Sequence, residues 1–142
     1  MDIDERTVAL SMATRPDVAD VGWFAARQPG IVGYLEGRCG RDSDALGVAL
    51  DAAWRLCEAF QHVLGVPPAR VSRSDLDRAQ REVVADAAMP GAGLGARQPE
   101  LFRWLADEIA DPNCPLGAGD RARVGTALAA VIYALDAVVT GR

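Results

Sequence analysis

The chain has 142 residues, half of them hydrophobic and a quarter charged, with a formal net charge of −5, eight aromatic residues, one histidine and no lysine. That is enough chain for one globular domain with its own core, without metal or disulfide support. The acidic balance opposes binding to a phosphate backbone, and three cysteines with no Cys-x-x-Cys pair argue against a disulfide framework or a zinc site.

The acidic start, Met1 to Glu5, lacks the basic then apolar pattern of an export signal. Together with the unpaired cysteines it predicts a cytoplasmic protein. The exclusive use of Arg among basic residues reads as the codon bias of a GC-rich bacterial genome. Abundant Ala, the best helix former, favours a helical bundle over a sheet.

Ile3 to Thr14 and Val18 to Gln28 read as two short helices divided by Arg15-Pro16-Asp17, where proline and aspartate suit a restart. Pro29 opens a third, because the missing N–H of proline costs nothing in a first turn. Ile31, Val32, Leu35 and Cys39 give that helix one buried face, bordered by Tyr34. A long helix is expected from Asp44 to Leu64, capped by Ser43 and stopped by Gly65 ahead of Pro67-Pro68. Its seam, Leu46, Leu50, Ala53, Cys57, Phe60 and Leu64, steps by four and three residues. A second apolar line, Ala49, Ala52, Leu56, Ala59 and Val63, predicts a second neighbour.

Ser74 is expected to cap a helix from Asp75 to Ala88 with Leu76, Ala79, Val83 and Ala87 inward, ended by Met89-Pro90-Gly91. The run from Gly91 to Ala96 matches the glycine fingerprint of dinucleotide sites, but a helix precedes it where such a site needs a strand, so it reads as a linker. Pro99 opens another short helix, with Leu101, Phe102, Leu105 and Ile109 inward and Trp104 at the border. The last helix, Gly119 to Thr140, is apolar nearly all round after Arg123, with Asp136 its only later charge. Such a helix is either central or completed by a second subunit. Its longest uncharged stretch, Val124 to Leu135, is twelve residues, short of the roughly twenty needed to cross a bilayer. No period-two alternation predicts a strand. The expected fold is an all-α, single-domain bundle of about six helices spanning 1–142.

Ala26-Arg27-Gln28-Pro29 returns as Ala96-Arg97-Gln98-Pro99, and Gly47, Ala49 and Leu50 return as Gly125, Ala127 and Leu128. This predicts an internal duplication with halves 1–65 and 74–141 linked by 66–73. Glutamine is a poor N-cap, so its recurrence before both prolines predicts a tertiary contact that each copy needs.

Asp51, Arg55, Glu58 and His62 lie on one helical face, and the Gly47 to Gly125 correspondence pairs Glu58 with Asp136. Asp51, Glu58, His62 and Asp136 are therefore candidate ligand-binding residues, while the plainer reading is a solvated stripe with an Asp51–Arg55 ion pair. With one histidine and no Glu-x-x-His pair, no metal or cofactor is expected. No Ser-His-Asp order, nucleophile elbow or His-Glu-x-x-His run occurs, which disfavours an enzyme. Tyr34, Trp54, Trp104 and Tyr133 are the candidate interaction surface. Arg70, Arg73, Arg78 and Arg81 are interleaved with acids, as on a solvated helix and not a nucleic-acid footprint. The function expected is a non-catalytic interaction or scaffold module, a homodimer or the partner of another protein, with no role on nucleic acid or membrane. The alternative is a small-molecule- or metal-binding bundle using the acidic and histidine stripe.

Overall fold

The computed structural model describes residues 2–41, 43–87 and 98–141, and these form seven α-helices with no strand. In chain order they are α1 (Glu5–Met12), α2 (Val18–Arg27), α3 (Pro29–Cys39), α4 (Asp44–Leu64), α5 (Arg73–Ala87), α6 (Pro99–Ala110) and α7 (Ala118–Thr140). The all-α bundle expected from the Ala-rich composition is the fold. The glycine run from Gly91 to Ala96, and with it the start of the second repeat motif, lies outside the described residues.

The bundle is built around α7, which packs against α3, α4, α5 and α6. Val124, Ala127, Leu128 and the unbroken run 130–136 are buried. Being apolar in every direction is therefore accounted for within one chain, and the second subunit invoked to cover it is not required. Helix α7 is also the one helix among the described residues long and apolar enough to cross a membrane, but 61% of its most apolar window is buried inside the bundle, the pattern of a core helix. Helix α4 lies beside α7 and buries Ala49, Ala52, Ala53, Leu56, Ala59 and Phe60. Small side chains there let helix backbones approach closely.

Local signals set the helix ends. Ser43 Oγ accepts from the Leu46 backbone N–H at 3.0 Å, and Gly65 ends α4 in the left-handed conformation at φ +77°. The cap of α5 is Ser72 and not Ser74: Ser72 Oγ accepts from the Asp75 N–H at 3.0 Å, while the Asp75 carboxylate accepts from the Ser72 N–H at 2.9 Å. A reciprocal pair of this kind satisfies two helix-end donors at once, which a lone serine at 74 would not do.

Gln28 and Gln98 hold the same backbone conformation, φ −125° with ψ 58° and φ −127° with ψ 57°, and neither caps its own helix with its side chain. Each is buried and reaches across the fold. Gln28 Oε1 accepts from the Val71 N–H at 2.9 Å and its Nε2 donates to the Ala69 carbonyl at 3.0 Å, holding the segment between α4 and α5. Gln98 Oε1 accepts from the Ile3 N–H at 3.1 Å and its Nε2 donates to Asp136 Oδ1 at 3.0 Å. A carboxamide carries both a donor and an acceptor, so it satisfies a buried stretch of chain where water cannot reach. The contact predicted from the recurring glutamine is thus a clamp on the segment that leads into a helix, α5 in one case and α1 in the other. Next to the first clamp α3 comes so close to that segment that a Cβ on Gly30 would lie 2.3 Å from the Val71 carbonyl oxygen.

Candidate functional site

Helix α2 is the least embedded element. A capping box fixes its start, with Asp17 and Asp20 each accepting the other's backbone N–H at 2.8 and 3.0 Å. It packs on α3 and α4, and of its side chains only Phe24 is buried. Trp23 is 64% exposed and Val18 91% exposed. Between α2 and the C-terminal half of α4 runs a groove of about 240 Å³, floored by Phe24, Trp54 and Cys57, walled by Trp23 and closed at one end by Pro67 and Pro68. The Arg27 guanidinium sits 5.0 Å from the Trp23 ring centroid, the distance of a cation–π contact. Asp20 and Glu58 place two carboxylates on the same groove against the one guanidinium of Arg27.

Burial pushes the Cys57 thiol up to about 12, with the Glu58 charge adding to the shift. The group is a protonated, packed sulfur at neutral pH and supplies no thiolate nucleophile. Cys39 is likewise raised by burial, and all three cysteines are free thiols, with Cys114 the half-buried one.

The four candidate ligand residues do not converge. Asp51 pairs with Arg55 at 2.8 Å. Glu58 is half-buried in the groove. Asp136 is buried in the core against Gln98. His62 is exposed, with Nδ1 2.8 Å from Ser11 Oγ. Among the described residues, no three His, Cys, Asp or Glu side chains come together as a metal-binding group. The stripe is also less solvated than its spacing implied, because Arg55 is buried at 5% exposure.

Ser11 and His62, fifty-one positions apart, are a contact that no local spacing announces. Ser11 Oγ lies 2.9 Å from the Thr7 carbonyl, one helical turn back, and 2.8 Å from His62 Nδ1, within hydrogen-bond distance of both. Ser11 is 2% exposed, so its hydroxyl is closed off by the fold. The pair fastens α1 to α4.

Of the four aromatics proposed as an interaction surface, Tyr34 and Tyr133 are buried, and that expectation is corrected for both. Each hides its ring in the core and gives its hydroxyl to α5: Tyr34 donates to Gln80 Oε1 at 2.9 Å and Tyr133 to Asp86 Oδ2 at 2.6 Å. A tyrosine inside a bundle needs such a partner for its O–H. Burial raises the Tyr34 hydroxyl above its ordinary value. Trp104 is half-buried against the core, and Trp54 is half-buried on the groove floor. The most exposed groove aromatic, Trp23, was missed. On a helix with a single buried face, the side chain next to the buried Phe24 points about 100° away from it, which was the available signal.

The fold and the groove together define an all-α bundle carrying an aromatic cleft on a lightly anchored helix. The chain matches no family model, no curated protein and no solved structure.

Proposed function

We propose that this chain is a non-catalytic interaction module, and that the groove between α2 and α4 receives a short apolar segment of another protein that carries a basic residue. The observation that supports this most is Trp23, a large apolar side chain left 64% exposed on the wall of a cleft whose floor is Trp54 and Phe24. Tryptophans in a concave site are the residues that dominate binding energy at protein interfaces. Asp20 and Glu58 outnumber Arg27 on the groove, and the net charge of −5 adds a long-range field of the same sign, which selects a basic segment. Reduced thiols suit action in the cytoplasm.

A photo-crosslinking residue at position 23, with position 84 on the exposed side of α5 as control, identifies the occupant in its native cells. Titration of the identified peptide then reads the groove directly. Trp23→Ala and Glu58→Arg are each expected to weaken binding about tenfold or more. Crosslinking of the same proteins from both positions would overturn the reading, as would binding unaffected by either substitution. A doubling of mass by light scattering, lost in Trp23→Ala, would make a second copy of the chain the occupant.

A further inference from the structure

Farther toward the N-terminus of α4 than the groove, a cavity of about 350 Å³ opens between α4, the end of α6, α7 and the turn leading into α7. Its charged lining is Arg15, Asp51, Arg55, Glu108 and Asp111, and its apolar walls include Val48, Ile109 and Leu128. The turn that closes it is held from behind by Arg121, whose guanidinium donates to the carbonyls of Ile109 at 2.7 Å, Leu116 at 2.7 Å and Cys114 at 3.0 Å. A wall fixed before the ligand arrives spares the ordering cost of binding.

Arg55 is the innermost of the charged residues, with its side chain 6% exposed. Nη2 is taken by Asp51 at 2.8 Å, whereas Nε is buried and has no acceptor among the described residues. A buried donor without an acceptor carries its full desolvation cost, so the Asp51 carboxylate alone does not satisfy this guanidinium. The remaining charges are of both signs, Arg15 against Glu108 and Asp111. A plain anion meets the three carboxylates and a plain cation meets the two guanidiniums, so neither is matched. A zwitterion answers both.

The geometry points to a binding site for a small α-amino acid with an aliphatic side chain, its carboxylate received by Arg55 and Arg15, its ammonium by Glu108 and Asp111, and its side chain by Val48, Ile109 and Leu128. A cavity near the small end of ligand pockets, which run roughly 300–1,000 Å³, suits a single amino acid and not a peptide. The site shares no lining residue with the α2–α4 groove and stands apart from the interaction reading.

The test is calorimetric titration of the full chain with L-leucine, with leucinamide, which lacks the carboxylate, and with 4-methylpentanoate, which lacks the ammonium. L-leucine is expected to bind saturably in the millimolar range or tighter and to raise the melting temperature, and each analogue to bind at least about tenfold more weakly. Arg55→Lys keeps the charge but loses the planar fork, and is expected to weaken L-leucine by about tenfold. Glu108→Gln, at an exposed position, is expected to weaken L-leucine while leaving 4-methylpentanoate unchanged. It keeps the test intact if the buried substitution fails to fold. Absence of saturable L-leucine binding to folded protein, equal binding of all three compounds, or wild-type binding by Glu108→Gln would overturn the assignment.

Discussion

At Gln28 and Gln98 the same residue holds the same backbone conformation before a proline, yet the two surroundings differ. Gln98 is fully buried and joins the Ile3 N–H to the Asp136 carboxylate inside the core. Gln28 directs its whole carboxamide at the chain between α4 and α5, and Glu58, the acid that the repeat pairs with Asp136, stays half-buried on an open groove with it. One end of the molecule thus closes over its polar pair and the other leaves the corresponding acid within reach of a partner. A repeated motif can serve one structural purpose twice while only one copy is free to take on a second.

The largest expected effect comes from breaking the closed end. Gln98→Ala deprives a buried carboxylate and a buried N–H of a partner and should cost about 3 kcal/mol in urea unfolding. Gln28→Ala leaves the buried Val71 N–H without its acceptor but strands no carboxylate, so about 2 kcal/mol is expected. Equal losses would mean that the two clamps are equivalent after all. Gly30→Ala tests the close approach at the open end: the added Cβ meets the Val71 carbonyl, and roughly 1–3 kcal/mol should be lost.

Alkaline titration sharpens the comparison further, since the open end buries a thiol at Cys57. In the folded chain this thiol is pushed up to about 12 from an ordinary 9.0. The unfolded chain therefore loses its proton first. Stability is fully present below pH 9 and falls as pH rises toward 12, by about 1.4 kcal/mol per unit for this one group. Cys57→Ala should flatten that limb without abolishing it, because Cys39 and Tyr34 are raised in the same sense. The smallest effect is Trp23→Ala, which should change unfolding free energy by less than about 0.5 kcal/mol despite removing the largest exposed side chain of the groove. A larger loss would make Trp23 a packing residue and weaken the case for a docking groove.

Sequence by itself determined the elements and most of their ends, the cap of α5 at Ser72 excepted. Four-and-three spacing marked α4 and its two packing lines, prolines at first turns marked α3 and α6, and glycine in the left-handed conformation ended α4 and α7. These are local effects, set by the chain within a turn or two of each residue, and so they are written in adjacent positions. The apolar character of α7 also forced the choice between a central helix and a shared one. Only the tertiary structure decided that it is central, because coverage of a helix depends on which other elements arrive and not on its own pattern. The same holds for the sites. Tyr34 and Tyr133 look like surface aromatics until α5 supplies Gln80 and Asp86 to their hydroxyls. Glu58, His62 and Asp136 look like one constellation until the bundle sends them to a groove, a helix contact and the core. Helical periodicity assigns a side chain to a face, whereas the partner waiting at that face comes from chain tens of residues away.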